Sequence, residues 1–246
     1  MTDVLRGVWP ATTLPFRDDL TLDLDRFAEH CAWLVESGCE GVVVNGSLGE
    51  YEALTDEERA AVVDAAVVAV GADRVIPGVA GKSAGEARRW TEQAAAHGCP
   101  AVMLLPPTSH APTDDEVVAH YAHVAEVGVP IIAYNNPWST RVDLVPALMA
   151  KIVEAVPQVV GLKEFSMDVR RVRHLADLVP QLQVICGCDD VLVESALVGT
   201  RGWISGFVNA FPEQSVRLLE LSESGKIADA LALYDEMLPI LRWDAE

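Results

Sequence analysis

Lys163 stands at the end of a short apolar run, where an ammonium group is poorly solvated. The segment PQVVGLKEF (157–165) otherwise has the composition of a buried strand. Burial disfavours the charged form of an amine, so such a lysine holds more free base than one in water. A free amine attacks a carbonyl, and the resulting iminium withdraws electrons from the adjacent carbon. This residue therefore has the chemistry for aldol cleavage, aldol addition or β-elimination without a metal.

Two other segments carry groups that fit this chemistry. Tyr134, in YNNP, offers a phenol that could pass protons to and from a developing alkoxide. Ser47 lies in a turn between two glycines, Gly46 and Gly49, and its hydroxyl and the turn amides could bind a carboxylate. The alternative for Lys163 is structural, a lysine that pairs with Glu164 or extends its charged end to water. Position along the strand alone favours neither interpretation.

The chain shows a repeated pattern that could bring these distant segments together. Strand-like runs begin near residues 7, 41, 74, 101, 130, 159, 183 and 202, and each precedes a helical stretch with a period near 3.6. The runs are apolar throughout, as expected when both faces are covered. Consecutive β-then-α units predict an α/β fold, a (β/α)8 TIM barrel, as a single domain over residues 1–246. A doubly wound sheet is the alternative, but its glycine-rich phosphate turn is absent after the first run.

In such a barrel the catalytic groups lie at the carboxyl ends of the strands. Tyr134 and Lys163 end the fifth and sixth runs, which are neighbours, so we expect the phenol and the amine in one pocket. Other strand ends supply the predicted substrate-binding residues, namely Thr13, Gly46, Ser47, Leu48, Gly49, His110, Gly187 and Ser205.

The composition limits the partners and the location of the protein. Lys and Arg number 18 and Asp and Glu 37, which gives a net charge of −19, and this charge repels nucleic acid and anionic membranes. No run of apolar residues is long enough for a membrane span, and the first residues lack the apolar core of a signal peptide. The five cysteines form no even disulfide framework, which predicts a reducing cytoplasm.

Two groups of potential metal ligands have too few partners to predict a metal site. His120 and His123 are three residues apart on a probable helix, a spacing that without a third ligand favours a solvated helix face. Cys186 and Cys188 lack a second cysteine pair. We therefore expect neither a metal nor a cofactor.

At these positions the sequence resembles the dihydrodipicolinate synthase / N-acetylneuraminate lyase family of Schiff-base (β/α)8 enzymes. The resemblance covers nearly the whole chain, and its marks are GSLGE at 46–50, YNNP at 134–137, GLKE at 161–164 and GCDD at 187–190. It implies that Lys163 is the Schiff-base lysine, that Tyr134 transfers protons, and that Ser47 with its turn binds the carboxylate of a 2-oxo acid. It also implies a homo-oligomer, a dimer or a tetramer.

Departures from the family pattern bear on the substrate. Leu48 stands where the synthases and sialic-acid lyases commonly carry a second threonine. Ser139 stands where the synthases carry the arginine that binds the second substrate's carboxylate, with Arg141 two residues on as a possible replacement. Ser109 falls near the position of a tyrosine that the synthases lend to the neighbouring subunit, and His110 beside it is a candidate acid or base.

These departures favour an aldolase or dehydratase of 2-keto-3-deoxy sugar acids, or a related deaminase, over a synthase-type condensation. A non-catalytic barrel that binds a 2-oxo acid is a further hypothesis. A metal-dependent aldolase is another, but only His110 is near a strand end as a histidine ligand.

Members of the family usually continue for several helices after the barrel. The chain ends at Glu246, just after its eighth helical region, so we expect this extension to be short or missing.

Overall fold

Eight short parallel strands alternate with helices along the chain. The computed structural model describes residues 5–108 and 111–244. The strands are β1 Gly7–Pro10, β2 Val42–Val44, β3 Val75–Pro77, β4 Val102–Leu104, β5 Ile131–Asn135, β6 Val159–Glu164, β7 Gln183–Cys186 and β8 Gly202–Ser205. Each begins at or within one residue of the position predicted from the sequence, because each is a continuous apolar run covered on both faces.

Hydrogen bonding closes these strands into a ring. Six of them form one sheet in the order β1-β8-β7-β6-β5-β4, and β2 pairs with β3. Parallel bridges from Ala11 to Val43 and from Gly78 to Met103 join the two sheets. All pairs are parallel, so every strand presents its carboxyl end at the same mouth of the barrel. The predicted (β/α)8 barrel is confirmed.

The helices cover the outside of the barrel. They are α1 Leu24–Glu36, α2 Asp56–Val70, α3 Ala84–His97, α4 Asp114–Ala125, α5 Pro137–Thr140, α6 Pro146–Ala155, α7 Arg170–Leu178, α8 Leu192–Val198, α9 Pro212–Glu223 and α10 Ile227–Leu241. Side-chain caps begin four of them: Asp23, Thr55, Ser83 and Thr113 each accept a backbone N–H of the first turn. Within the described residues, no helix is long and apolar enough to cross a membrane.

One helix follows the eighth β/α unit. Helix α9 packs against β1 and completes the ring, and α10 then packs on α8 and α9. The sequence indicates a single helical region after β8, whereas the structure has two helices there, α9 and α10. They are separated at Gly225, whose φ of +73° is a left-handed conformation that glycine adopts at low cost.

Side chains along the strands alternate between two packing layers. Those facing into the barrel form a small cluster that includes Trp9, Met103, Ile132 and Ile204. Those facing outward join the larger core between the strands and the helices. Neighbouring residues of one strand therefore lie in different environments, which decides the surroundings of every polar residue near a strand end.

Two side chains bond helix α4 to the end of β4. His120 donates Nε2–H to the carbonyl oxygen of Leu105, and Tyr121 donates its hydroxyl to that of Leu104, both at 3.1 Å. His120 is buried, so the expectation of a solvated helix face is wrong at this position. The reason is helical spacing, since His120 and Tyr121 belong to the apolar stripe formed by Val117 and Val124. Burial lowers the pKa of His120 to about 4, because the charged ring loses its hydration.

This buried histidine predicts a particular sensitivity to acid. An unfolded histidine takes up a proton near pH 6.5, whereas the folded chain excludes it down to a pKa of about 4, so His120 lowers stability as the pH falls through this window. The substitution His120→Gln removes the titrating ring and keeps an N–H donor. Between pH 7 and pH 4 the variant should lose less free energy of unfolding than the wild type, by on the order of 1–3 kcal/mol.

Urea unfolding at the two pH values measures this difference. His123→Gln, on the same helix and only partly buried, is the matched control and should keep the wild-type dependence. If His120→Gln and the wild type lost the same free energy, burial of this ring would not cause the acid sensitivity.

Candidate active site

Lys163 and Tyr134 lie side by side at the mouth of the barrel. The pairing of β5 with β6 sets Tyr134 opposite Lys163. The Lys163 Nζ atom lies 4.3 Å from the centroid of the Tyr134 ring, and Lys163 is only 6% exposed. The two predicted groups therefore share one buried location, within reach of a single small molecule.

A cavity of about 290 Å³ opens over this pair. Its polar lining residues are Ser47, Tyr134, Asn136, Ser139 and Lys163, and its apolar ones are Ala11, Leu48, Met103, Trp138 and Phe165. Gly46, Gly187 and Gly206 complete the wall. Among the described residues that line it, Lys163 is the one charged group, so an anionic substrate and the lysine would meet in a largely neutral cavity.

A tight turn after β2 supplies hydrogen-bond donors to this cavity. Residues Ser47–Gly49 form a single 3₁₀ turn, in which Gly49 N donates to the carbonyl of Gly46 at 3.1 Å. The first amides of such a turn, those of Ser47 and Leu48, have no acceptor within it. The preceding residue, Asn45, anchors the turn by donating its side-chain amide to the carbonyl of Arg59 at 2.9 Å. The turn therefore presents a hydroxyl and backbone N–H groups beside the cavity.

Gly187 is the position where the next strand passes closest to the lysine. A Cβ atom at Gly187 would lie 3.0 Å from both Cγ and Cε of Lys163 and 2.9 Å from the carbonyl oxygen of Glu164. Only a residue without a side chain fits here unless both the lysine side chain and the Glu164 backbone move. Gly187 therefore fixes the path of the Lys163 side chain toward the cavity, as well as lining the wall.

Glu164 faces away from Lys163. Its carboxylate accepts the side-chain amide of Asn135 at 3.0 and 3.2 Å and the backbone N–H of Ser166 at 2.7 Å, and it forms an ion pair with Arg171 at 3.9 Å. Burial raises the pKa of Glu164 above its usual range, and these hydrogen bonds act against that effect. The alternative in which Lys163 pairs with Glu164 is therefore contradicted, because consecutive strand residues point to opposite faces.

The same buried network holds the loop that carries α5. Asn135 Oδ1 accepts the backbone N–H of Leu144 at 2.9 Å, and its amide also donates to Asp143 at 3.2 Å. Arg171 binds both carboxylate oxygens of Asp143 at 2.5 and 2.7 Å, which lowers the pKa of that carboxyl. The loop of residues 136–143 therefore begins directly after Asn135, and its far end is hydrogen-bonded back to the Asn135 side chain.

Asn136 was not singled out from the sequence, yet it contacts the catalytic candidate directly. Its side-chain amide donates to the Tyr134 hydroxyl at 3.2 Å, and its Oδ1 accepts the backbone N–H of Ser139 as the N-cap of α5. These two bonds orient the phenol relative to the loop. Its position in YNNP, directly after the end of β5, is the sequence feature that could have identified it as a site residue.

Several residues predicted to bind substrate do not line the cavity. Thr13 is exposed, and its backbone N–H donates to Asn209 Oδ1 at 3.2 Å. Ser205 is buried on the helix side of β8, because its neighbour Ile204 faces the barrel interior. Gly49 closes the turn by donating its backbone N–H to the carbonyl of Gly46, and Arg141 is exposed at the end of α5. His110, like Ser109, lies outside the described residues. By contrast Gly46, Ser47, Leu48, Ser139 and Gly187 all line the cavity.

A larger groove of about 420 Å³ lies elsewhere, between residues 81–84 and helix α4. Each of its titratable lining groups has another role. Lys82 is exposed to solvent, Glu116 accepts the backbone N–H of Thr113 in the cap of α4, and His120 donates to the carbonyl of Leu105. The barrel mouth remains the better candidate, because it holds a buried amine with a phenol beside it.

Gly187→Ala tests the fit of the lysine side chain. The added methyl would overlap Lys163, so we expect the rate of Schiff-base formation to fall by about tenfold or more while the barrel still folds. Gly85→Ala in α3 is the matched control, because a Cβ there meets only Ser83 Oγ at 3.9 Å. Stopped-flow or borohydride-quench rates measure the effect. Equal rates in the two variants would mean that Gly187 does not set the lysine's position.

Comparison with known proteins identifies the family. The dihydrodipicolinate synthetase family model matches residues 4–245. A 4-hydroxy-tetrahydrodipicolinate synthase of Methanosphaerula palustris is 32% identical over 97% of this chain and 84% of its own length.

Solved structures agree with this match. A putative dihydrodipicolinate synthetase from Pseudomonas aeruginosa has a TM-score of 0.93 and 30% identity over 96% of this chain and 83% of that one. YagE, a prophage protein of the dihydrodipicolinic acid synthase family from E. coli K12 solved in complex with pyruvate, has a TM-score of 0.90 and 29% identity over 96% and 81%. This chain therefore belongs to the dihydrodipicolinate synthetase family, whose members are lyases that act through a lysine Schiff base.

Proposed function

We propose that this protein is an aldolase in which Lys163 forms a Schiff base with a pyruvate-type 2-oxo acid. The observation that carries the proposal is the buried amine of Lys163 beside the Tyr134 ring, under a cavity open to small molecules. Membership of a Schiff-base family and the likeness to a pyruvate-bound protein support it. No step requires a metal or a cofactor.

The first half of the reaction joins the oxo acid to the lysine. Its carboxylate binds the hydroxyl of Ser47 and the first amides of the turn, which orients the carbonyl carbon toward Lys163. The amine attacks this carbon, and loss of water leaves an iminium. Tyr134, held by Asn136, supplies the proton that the departing oxygen needs and can take it back in the reverse direction.

The second half makes or breaks a carbon–carbon bond. The iminium lowers the cost of removing a proton from the neighbouring carbon, which gives an enamine. Attack of the enamine on an aldehyde is the condensation, and the reverse reaction is cleavage. Water loss or deamination can start from the same iminium, so dehydratase and deaminase activities remain within the proposal.

The sequence is compatible with two classes of partner aldehyde. The departures at Leu48 and Ser139 favoured cleavage of 2-keto-3-deoxy sugar acids, with the synthase condensation as the alternative. The relative in Methanosphaerula palustris is named a 4-hydroxy-tetrahydrodipicolinate synthase, which supports the alternative more than the first interpretation. Both share the pyruvate-type imine at Lys163, so the imine is the part of the function that we propose for this chain.

We also propose that residues 1–246 act as one domain and that the protein works as a homo-oligomer, a dimer or a tetramer, in the cytoplasm. All five cysteines are free and buried, which supports a reducing compartment. The acidic surface disfavours nucleic acid and anionic membranes as partners.

Trapping with borohydride tests the imine directly. Incubation with pyruvate followed by reduction should add a stable adduct, and peptide mapping should find it on Lys163. Lys163→Ala should give neither adduct nor turnover while circular dichroism remains that of the folded barrel. Lys226→Ala, which removes an exposed lysine before α10, should still form the adduct. Turnover of Lys163→Ala near the wild-type rate would refute the mechanism.

Tyr134→Phe tests the proton transfer. Loss of the phenolic hydroxyl should lower kcat by about 10²-fold or more, the usual range for a lost general acid or base. Tyr234→Phe is the control, because its hydroxyl donates to the carbonyl of Asp190 away from the cavity, and it should keep kcat within a few-fold. An unchanged kcat in Tyr134→Phe would assign proton transfer to another group, with His110 the next candidate.

A further inference from the structure

Large apolar side chains line the cavity over Lys163 and remain open to water. Leu48 is 44% exposed and Trp138 is 70% exposed, and both line the cavity together with the partly buried Phe165. Single exposed apolar residues are ordinary, but several around one concave site mark a surface that binds an apolar group. An indole offers a large, flat contact area at low conformational cost.

The protein fixes the backbone that carries Trp138 and packs Leu48 against a neighbouring loop. Trp138 follows Pro137 at the start of α5, whose first turn is capped by Asn136. The loop that carries it is fixed to the barrel where Asn135 Oδ1 accepts Leu144 N–H. Leu48 packs against Gly206 so closely that a Cβ there would lie 2.4 Å from its Cδ1 atom. The apolar surface is therefore built into the wall of the cavity.

Among the residues that the structure describes, the same wall offers no second cation for a further carboxylate. Lys163 is the one charged group among the described lining residues, and in the enamine that meets the aldehyde its nitrogen is uncharged. Arg141 is exposed and does not line the cavity. Moving a carboxylate out of water without a cation to pair with it is costly, so a charged aldehyde would bind poorly against Trp138 and Leu48.

We propose that the aldehyde partner of the 2-oxo acid is uncharged and apolar, with an aromatic ring preferred, and that it packs on Trp138, Leu48 and Phe165. The inference rests on the Schiff base proposed at Lys163. It names a substrate class different from sugar acids and from the carboxylate-bearing partner of the synthases.

The reaction balances without an oxidant or a reductant. Pyruvate and Lys163 form the iminium with release of one water, whose oxygen takes a proton from Tyr134. The Tyr134 phenolate then takes a proton from the methyl carbon, which gives the enamine and restores the phenol. That carbon forms a bond to the aldehyde carbon, while the aldehyde oxygen takes a proton from Tyr134. One water then hydrolyses the iminium, which returns the amine, gives a proton back to the Tyr134 phenolate and releases a 4-hydroxy-2-oxo acid. The reverse sequence releases pyruvate and the aldehyde.

The test offers the wild-type enzyme pyruvate with one of four aldehydes: benzaldehyde, butanal, glyceraldehyde and succinic semialdehyde. Mass spectrometry of the 4-hydroxy-2-oxo acid products gives kcat/KM for each. Benzaldehyde and butanal should exceed the hydroxylated and the carboxylated aldehyde by at least tenfold, with benzaldehyde first. Trapping of the pyruvate imine by borohydride is measured in parallel. The reverse preference with the imine trapped would overturn this inference alone, whereas no trapped imine would overturn the proposed function as well.

Two substitutions locate the preference in the wall. Trp138→Ala should lower kcat/KM for benzaldehyde by about tenfold, mainly through KM, and leave imine trapping with pyruvate intact. Trp243→Ala removes a similarly exposed indole, 77% exposed in the C-terminal turn, and should change neither. Ser139→Arg should raise kcat/KM for succinic semialdehyde relative to benzaldehyde. If Trp138→Ala kept the wild-type value for benzaldehyde, the inference would be wrong.

Discussion

Backbone pairing between β5 and β6 determines which side chains share the mouth of this barrel. The register skips Val160 and then runs in step, so that Tyr134 meets Lys163 and the following pair is Asn135 with Glu164. Side chains alternate along each strand, so the first pair faces the cavity and the second faces the helices. One register thus builds two layers, a reactive one inside and a supporting one outside.

The sequence was sufficient for the fold because eight apolar runs recur with helical segments between them. It also predicted that Tyr134 and Lys163 would be close, since neighbouring parallel strands end at the same edge. The role of Glu164 could not be read in the same way. Adjacency in sequence suggested a pair with Lys163, but strand alternation sends the carboxylate to Asn135 and Arg171.

Residues on loops were the least predictable part of the site. Trp138 and Gly206 line the cavity because of how the loops after β5 and β8 pack, and no local pattern reports such packing. The burial of His120 depends on which face of α4 meets the barrel. Conversely, Thr13 and Ser205 have suitable side chains, but neither lines the cavity: Thr13 lies three residues beyond β1, and strand alternation places Ser205 on the helix side of β8.

Asn135 lies at the boundary between strand β5, which carries Tyr134, and the loop that lines the substrate cavity. The loop of residues 136–143 starts directly after it and is fastened to it again through Leu144 N–H, while the lysine lies on the other face of the sheet. Exchange of residues 137–142 for another sequence would leave the Asn135–Leu144 bond, the Asn136 bond to Tyr134 and the strand register unchanged. The sequence of this segment can therefore vary while the residues that position Lys163 and Tyr134 stay the same. Descendants of one such gene could acquire new substrates through changes of a few consecutive codons.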